Sequence, residues 1–125
     1  MDQGSLPDDV KKRVIEILET IVDPEIGIDV YNLGLIYNVQ ILNDKNVKIE
    51  MTFTTSFCPI STILPLMIIE QLKEKLGLDV DIEIIYDPPW TPARMTEKGR
   101  ELFKNRFGYD IVEMYTQYTS REKEQ

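Results

Sequence analysis

The stretch 47–86 constrains the fold more than any other part of the chain. Apolar and polar residues alternate over 47–54, which is typical of a half-buried strand. Apolar residues at helical spacing follow as far as Gly77, and a second alternating run covers 79–86. A strand, a helix and a strand in this order predict two parallel strands joined by a right-handed crossover. We therefore expect the two strands to be neighbours in one sheet.

The chain before this stretch is predicted to form one helix and one more strand. Residues 8–22 place apolar side chains on a single helical stripe, and Pro24 is expected to end that helix. Residues 35–42 alternate, and the polar residues 43–46 suit a hairpin turn. The strand at 35–42 should therefore pair antiparallel with the strand at 47–54.

The second half of the chain is predicted to be helical on both sides of its last strand. We expect the helix that follows Cys58 to begin near residue 59, with a distortion at Pro65 because a proline removes a helical hydrogen bond. Another helix is predicted at 96–107. Residues 109–125 form a C-terminal extension whose apolar residues have helical spacing.

These elements predict a two-layer α+β fold in the order α-β-β-α-β-α. A three-stranded mixed sheet would carry the helices on one face. The length of 125 residues suits one domain. We therefore expect residues 1–125 to form a single domain, with a core at 8–108 and the extension at 109–125.

The charge of the chain limits its partners. The sequence has 22 acidic and 14 basic residues, and its formal net charge is −8. Nucleic acids and anionic membranes repel such a surface, so we expect neither as a partner. No apolar run approaches the roughly 18 residues that a membrane-spanning helix needs.

The counts of cysteine and histidine narrow the chemistry. The sequence has one cysteine, which excludes a disulfide within the chain and favours a reducing compartment, so we expect a cytoplasmic protein. It has no histidine. A histidine-based zinc site, a histidine general base and a Ser-His-Asp triad are therefore impossible within one chain.

Cys58 lies where the strand at 47–54 gives way to a helix. The first N–H groups of a helix and its dipole favour an anion, so they favour the thiolate over the thiol. Thr54 and Thr55 are close enough in sequence to donate hydrogen bonds to the sulfur or to a bound ligand. Two interpretations stand beside each other. Cys58 is a reactive or metal-ligating thiol, or it is a structural cysteine of the kind that is often buried.

Asp23 and Glu25 flank Pro24 in the loop after the first helix. Two carboxylates in one loop could be hard-oxygen metal ligands or an acid/base pair. An Asp-Pro sequence is also a common way to end a helix, and the charges could simply be solvated. From spacing alone, the helix stop with solvated charges is the reading that we prefer.

Trp90 lies in the proline-rich stretch 87–92, which cannot form regular structure. A rigid aromatic side chain there could be an anchor for a partner protein. It could equally be a lid on the edge of the sheet, which is the reading that we prefer.

Four motifs occur in an order that is more specific than any one of them. They are Asp23-Pro24-Glu25-Ile26-Gly27, Asn32-Leu33-Gly34-Leu35-Ile36-Tyr37, Thr54-Thr55-x-x-Cys58-Pro59 and Asp87-Pro88-Pro89-Trp90-Thr91-Pro92. In this order they resemble the family of small iron–sulfur assembly accessory domains. That family includes the SufT proteins, the PaaD proteins of phenylacetate degradation and the eukaryotic cytosolic iron–sulfur targeting subunit.

The resemblance implies a fold similar to the C-terminal scaffold domain of NifU, and a role in assembling or delivering iron–sulfur clusters. It implies that the loop of Asp23 lies beside the thiol. The family's site would fall here on Asp23, Glu25, Ile26, Thr54, Thr55 and Cys58. PaaD-type relatives carry a C-terminal cysteine-rich segment that this chain lacks. The resemblance therefore favours SufT-like maturation over the PaaD type.

A single thiolate cannot hold an iron–sulfur cluster, which normally takes four protein ligands. We therefore expect iron or a labile cluster to be shared between the two chains of a homodimer, with Cys58 as the metal ligand, and no tightly bound cofactor. The expected partners are iron–sulfur scaffold or carrier proteins and apo-protein clients.

Two other functions remain open at this point. The chain could be a non-catalytic adaptor that binds assembly partners and clients. It could also be a thiol enzyme in which Cys58 is the nucleophile and Asp23 or Glu25 is the base. A role that is not enzymatic is the one that we favour.

Overall fold

The computed structural model describes residues 7–24, 26–54 and 63–123. Its helices and strands occur in the predicted order, with a short 3-10 turn and one further helix in the C-terminal extension. They are α1 (Pro7–Leu18), β1 (Ile36–Ile41), β2 (Asn46–Met51), α2 (Ile63–Leu76), β3 (Asp79–Ile84), the 3-10 turn (Pro92–Arg94), α3 (Glu97–Phe107) and α4 (Ile111–Lys123). The α+β class and the order of elements are therefore confirmed.

The sheet has three strands in the order β1-β2-β3, and β2 is central. β1 pairs antiparallel with β2, and β2 pairs parallel with β3, so the sheet is mixed as predicted. Val47 lies opposite Val80, and Met51 lies opposite Ile84. The ladder between β1 and β2 shifts register between Ile36 and Asn38, which indicates a bulge at Tyr37.

The core lies between one face of the sheet and the helices. Alternate residues of β2 are fully buried, because successive strand side chains point to opposite faces. The helices α1 and α2 bury their apolar stripes in the same cluster. Its fully buried members on these elements are Val14, Leu18, Val47, Ile49, Met51, Leu64, Ile68 and Leu72.

The first helix is shorter than predicted, since α1 ends at Leu18 and the prediction of 22 was wrong. The backbone hydrogen bonds there join residues three apart, as in a 3-10 turn. Thr20 N–H donates to Ile17 O (2.9 Å), and Ile21 N–H donates to Leu18 O (3.1 Å). The Thr20 hydroxyl donates to the same Ile17 carbonyl at 2.6 Å. A threonine that satisfies a terminal carbonyl helps to end the helix before the proline.

Pro65 lies in the first turn of α2, which begins at Ile63 in the described residues. A proline is tolerated in a first turn because its missing N–H would have no helical partner there. The predicted helix start at 59 lies outside the described residues.

The C-terminal extension contains α4, which contacts the 3-10 turn and α3. The helical spacing of Ile111, Met114 and Tyr115 is thus matched by a helix. Across the described ranges, none of the helices is long and apolar enough to cross a membrane.

Candidate functional site

Asp23 is fully buried in a tight loop between α1 and β1. An isolated antiparallel bridge joins Val22 to Asp29 at the base of this loop. Asp23 N–H donates to Ile28 O at 3.0 Å, and Asp23 O accepts from Gly27 N–H at 2.8 Å. One carboxylate oxygen, Oδ1, accepts a longer hydrogen bond from Ile26 N–H at 3.3 Å. The loop thus holds a carboxylate out of bulk water, which is costly unless polar groups compensate for it.

Gly27 allows this loop to close. Its φ is +79°, a conformation that glycine adopts without steric cost. A Cβ at this position would lie 2.6 Å from Cζ of Arg106, in the last turn of α3. The guanidinium therefore packs against the loop and brings a positive charge to the segment that buries Asp23.

A series of backbone hydrogen bonds links the Asp23 loop to the end of β2. Val30 N–H donates to Ile21 O (2.9 Å), and Leu35 N–H donates to Val30 O (3.1 Å). Thr52 N–H in turn donates to Leu35 O at 2.8 Å. The residues just after β2 are thereby fixed relative to the loop, on the chain that leads to the Cys58 segment.

The predicted site residues divide into two groups. Asp23, Ile26 and Thr54 are described: Asp23 is buried, Ile26 packs against the core, and Thr54 is partly buried. The hydrogen bond from Ile26 N–H brings the first two together. The other predicted site residues, Glu25, Thr55 and Cys58, lie outside the described residues. Their roles stay predictions, as does the expected nearness of the thiol to Asp23.

Sequence reasoning missed a buried polar network around Asn32. The Asn32 amide donates to Glu19 Oε2 and to Asp29 Oδ1, each at 3.0 Å. Its Oδ1 accepts from the Thr96 hydroxyl at 2.6 Å. Asn32 N–H also donates to Asp29 Oδ2 at 2.9 Å. This network ties the chain after the Asp23 loop to the start of α3, and the signal for it was an asparagine inside an otherwise apolar motif.

Trp90 contacts the loop before β1, where its indole N–H donates to Leu33 O at 2.7 Å. The side chain is partly buried and packs against the core cluster. These contacts give Trp90 a structural role in the described residues, and its predicted role as a partner anchor stays a prediction.

Tyr37 and Arg94 form a second contact between the same two segments. The Arg94 guanidinium lies 4.4 Å from the centroid of the Tyr37 ring, and the Tyr37 hydroxyl donates to Pro88 O at 2.7 Å. Gly34, with φ +86°, lets the Arg94 carbonyl approach so closely that a Cβ at 34 would collide with it.

The metal-ligand side chains of the described ranges do not form a cluster. Within 7–24, 26–54 and 63–123, no group of three or more Asp, Glu, Cys or His side chains could hold a metal ion. Of the carboxylate and thiol donors in the predicted set, the buried Asp23 carboxylate lies within those ranges, and the Glu25 carboxylate and the Cys58 thiol lie outside them.

The chain matches known proteins over most of its length. A family model described as "Iron-sulfur cluster assembly protein" matches residues 11–84. The chain is 34% identical over 96 residues to the Fe-S protein maturation auxiliary factor YitW of Bacillus subtilis, covering 73% of this chain and 90% of that protein.

Two further similarities agree with this match. Over 85 residues the chain is 36% identical to the Fe-S protein maturation auxiliary factor SufT of Staphylococcus aureus, covering 64% of this chain and 92% of that protein. Its fold is similar to the crystal structure of the DUF59 domain of unknown function from Bacillus anthracis, with a TM-score of 0.71 and 27% identity. That similarity covers 76% of this chain and 92% of the other.

Proposed function

Since the chain belongs to the family of iron–sulfur cluster assembly proteins, we propose that it is a maturation factor that handles iron or clusters transiently and delivers them to apo-proteins. The relatives named as Fe-S protein maturation auxiliary factors support an accessory role in this process. The iron or cluster is cargo here and not a resident cofactor. The partners in this proposal are iron–sulfur scaffold or carrier proteins and the apo-protein clients.

The observation that carries the proposal is the buried Asp23 carboxylate in a loop fixed to the end of β2. The chain that leaves β2 leads directly to Thr54, Thr55 and Cys58. Thiolates and carboxylates are both suitable donors for iron. The hydrogen-bond series holds Thr52, six residues before Cys58 in the sequence, to the chain beside the Asp23 loop. In the proposal Cys58 is the metal ligand or transfer thiol, and Asp23 and Glu25 assist it.

The number of ligands requires a shared site. The chain has one cysteine and no histidine, whereas a cluster normally takes four protein ligands. Two copies of the chain in a homodimer would supply two thiolates, and carboxylates or the thiols of a partner would complete the set. Such partial ligation makes the cargo easy to release, which suits delivery in a reducing compartment such as the cytoplasm.

The test is anaerobic reconstitution with ferrous iron and sulfide. Wild type, Cys58→Ser, Asp23→Asn and the exposed-turn control Asp44→Asn would be compared for bound iron and for transfer to an apo-ferredoxin. We expect Asp44→Asn to match wild type, and Cys58→Ser to lose most bound iron and its effect on transfer. If wild type binds no iron or sulfide and does not speed transfer, the proposal is wrong. Thermal melting of each variant separates loss of the fold from loss of the donor.

The two competing functions make different predictions for Cys58→Ala. A non-catalytic adaptor keeps partner binding and cellular function without the thiol. If the chain is the maturation factor that we propose, cells that carry Cys58→Ala lose activity of their iron–sulfur enzymes, although the variant still binds its partners. A thiol enzyme would form a covalent adduct with its substrate at Cys58, which intact-protein mass spectrometry detects.

A further inference from the structure

An open groove runs along β1. One cavity, of about 160 Å³, lies between α1 and β1 and is lined in part by Lys11, Ile15 and Val39. A second cavity, of about 510 Å³, continues past the start of β1 to Arg94. Both cavities are lined by Tyr31, Ile36 and Tyr37, which makes them two parts of one groove.

The charge of this groove is opposite to that of the chain. Among the described residues that line it, the charged ones are Lys11 and Arg94, both cations, in a protein of net charge −8. Among the described residues, four ion pairs engage other cations. They are Lys48–Glu83, Lys73–Asp79, Lys98–Glu19 and Arg100–Asp110. Lys11 and Arg94 therefore remain available to an anionic group from outside.

Arg94 is held in place before any ligand arrives. Its guanidinium stacks on Tyr37 at 4.4 Å, and the Tyr37 ring is fixed by its hydrogen bond to Pro88 O at 2.7 Å. The main chain at Arg94 is fixed by its close approach to Gly34. A stacked guanidinium keeps its edge free for the two oxygens of a carboxylate. Such an arrangement lowers the entropy cost of binding.

The strand beside the groove can recognise a peptide backbone. β1 is a border strand, and of the described strands it pairs only with β2. Four consecutive residues, 36–39, line the cavity between β1 and α1, so this cavity follows the strand direction. An extended peptide can add to a border strand through main-chain hydrogen bonds, while pockets beside the strand select its side chains.

We propose that this groove binds an extended, acidic segment of a partner protein. Carboxylates of the segment pair with Arg94 and Lys11, and an apolar side chain between them packs on Tyr31, Ile36 and Tyr37. Two cations match the carboxylates of a short acidic segment but are too few for a nucleic acid, which carries a negative charge at every phosphate. The proposal stands on the groove alone and holds whether or not the chain handles iron.

Selection from a peptide library tests the proposal without iron. Random peptides of about eight residues, roughly 26 Å when extended, would be displayed on phage and selected on wild type. Recovered peptides would then be measured by fluorescence polarisation against wild type, Arg94→Glu and Lys45→Glu. Lys45 lies in the exposed turn between β1 and β2, so its variant changes the net charge equally but away from the groove.

We expect Asp and Glu to be enriched in the recovered peptides. Arg94→Glu should weaken their binding by about tenfold or more, and Lys45→Glu should leave it within about twofold. Binding should also weaken as salt shortens the range of the charges. NMR shifts on adding a peptide should centre on Tyr31, Ile36 and Tyr37.

Several outcomes overturn the proposal. The selection overturns it if no peptides are recovered, or if the recovered peptides are not acidic. The binding measurement overturns it if the peptides bind wild type and Arg94→Glu equally well while circular dichroism shows that the variant is folded. NMR shifts that lie away from the groove overturn it as well. Arg94-dependent binding of a single-stranded oligonucleotide that competes with the peptides would replace the proposed partner by a nucleic acid. Failure of iron reconstitution leaves all of these readouts unchanged.

Discussion

The guanidinium of Arg106 packs against the backbone of Gly27, and so joins the end of α3 to the loop that buries Asp23. A Cβ at position 27 would lie 2.6 Å from Arg106 Cζ. Neither residue was singled out for this contact by the sequence, because helix α3 and the loop are far apart along the chain. The contact makes the loop sensitive to changes at a helix end that lies outside the family-matched segment, residues 11–84.

We expect Gly27→Ala to destabilise the protein by more than the conformational cost alone. That cost, for alanine at φ +79°, is about 1–2 kcal/mol. Gly77→Ala is the matched control, since Gly77 has φ +66° and a Cβ there would meet nothing within 4 Å. Urea unfolding should show a larger loss of unfolding free energy for Gly27→Ala than for Gly77→Ala. In the Arg106→Ala background this extra loss should disappear, which corresponds to a coupling energy between the two sites of about 0.5 kcal/mol or more. Equal losses at the two glycines would show that Arg106 moves aside without cost.

Thr96→Ala should lower the free energy of unfolding by about 1–2 kcal/mol. The Thr96 hydroxyl accepts from Gly99 N–H at 3.0 Å as the N-cap of α3, and it donates to the buried Asn32 Oδ1 at 2.6 Å. Alanine loses both bonds, whereas Thr96→Ser keeps the hydroxyl and should stay near wild type. Denaturant unfolding of the alanine and serine variants measures this difference. If the serine variant is as unstable as the alanine variant, the methyl group of Thr96 matters more than the hydrogen bonds of its hydroxyl.

Asp110→Asn should destabilise the protein near neutral pH, and this effect should disappear in strong acid. The Arg100 side chain, which donates to Asp110 Oδ2 at 2.9 Å, holds the pKa of this carboxyl below its ordinary value, and N–H groups of the first turn of α4 add to the effect. A lowered folded-state pKa stabilises the protein fully above the unfolded-state pKa of about 3.9, and this stabilisation is lost as the pH falls through the folded-state value. Asparagine is also a good N-cap, so the substitution mainly removes the charge.

The measurement for Asp110 is the difference in unfolding free energy between wild type and Asp110→Asn at several pH values. We expect a constant difference from neutral pH down to the ordinary carboxyl pKa, and a shrinking one below it. Asp44→Asn, in the exposed β1–β2 turn, should show no such dependence. A difference for Asp110 that persists unchanged into strong acid would contradict the ion pair as its source.

Trp90→Phe should destabilise the protein by about 1 kcal/mol through the lost hydrogen bond. The indole N–H donates to Leu33 O at 2.7 Å, and phenylalanine leaves that carbonyl without this donor. Tyr86→Phe is a suitable control, because the Tyr86 side chain is 60% exposed. Unfolding followed by circular dichroism avoids the loss of the only tryptophan signal. A cost no larger than that of Tyr86→Phe would show that the indole bond adds nothing.

The sequence predicted those features of the fold that depend on periodicity. Apolar and polar residues alternate in β2 and in β3, and the run between them has helical spacing. This pattern predicted the parallel pair, because a buried face imposes a fixed spacing on its residues. Gly27 and Gly34 both have positive φ, a conformation that glycine adopts more readily than other residues. Boundaries were less predictable. At the end of α1, the Thr20 hydroxyl donates to the Ile17 carbonyl, a side-chain contact that leaves no periodic signal in the sequence.

The candidate site was predictable only in part. Asp23 and Ile26 share one loop, so their contact follows from local geometry. Contacts between distant segments, such as Arg106 with Gly27 or Asn32 with Thr96, depend on how the helices pack and leave no periodic signal. The groove beside Arg94 was missed for the same reason: its cations are separated by most of the chain.

The parallel pairing of β2 and β3 has a consequence for how such a protein can diverge. Met51 lies opposite Ile84, and Ile85 N–H donates to Met51 O at 2.7 Å, so the chain leaves both strands at the same rim of the sheet. The segment that carries Cys58 and the stretch that carries Trp90 begin there. The ladder between β2 and β3 and the fully buried residues Val47, Ile49 and Met51 lie outside both connections. Evolution can therefore alter the chemistry at this rim while the scaffold beneath it stays constant.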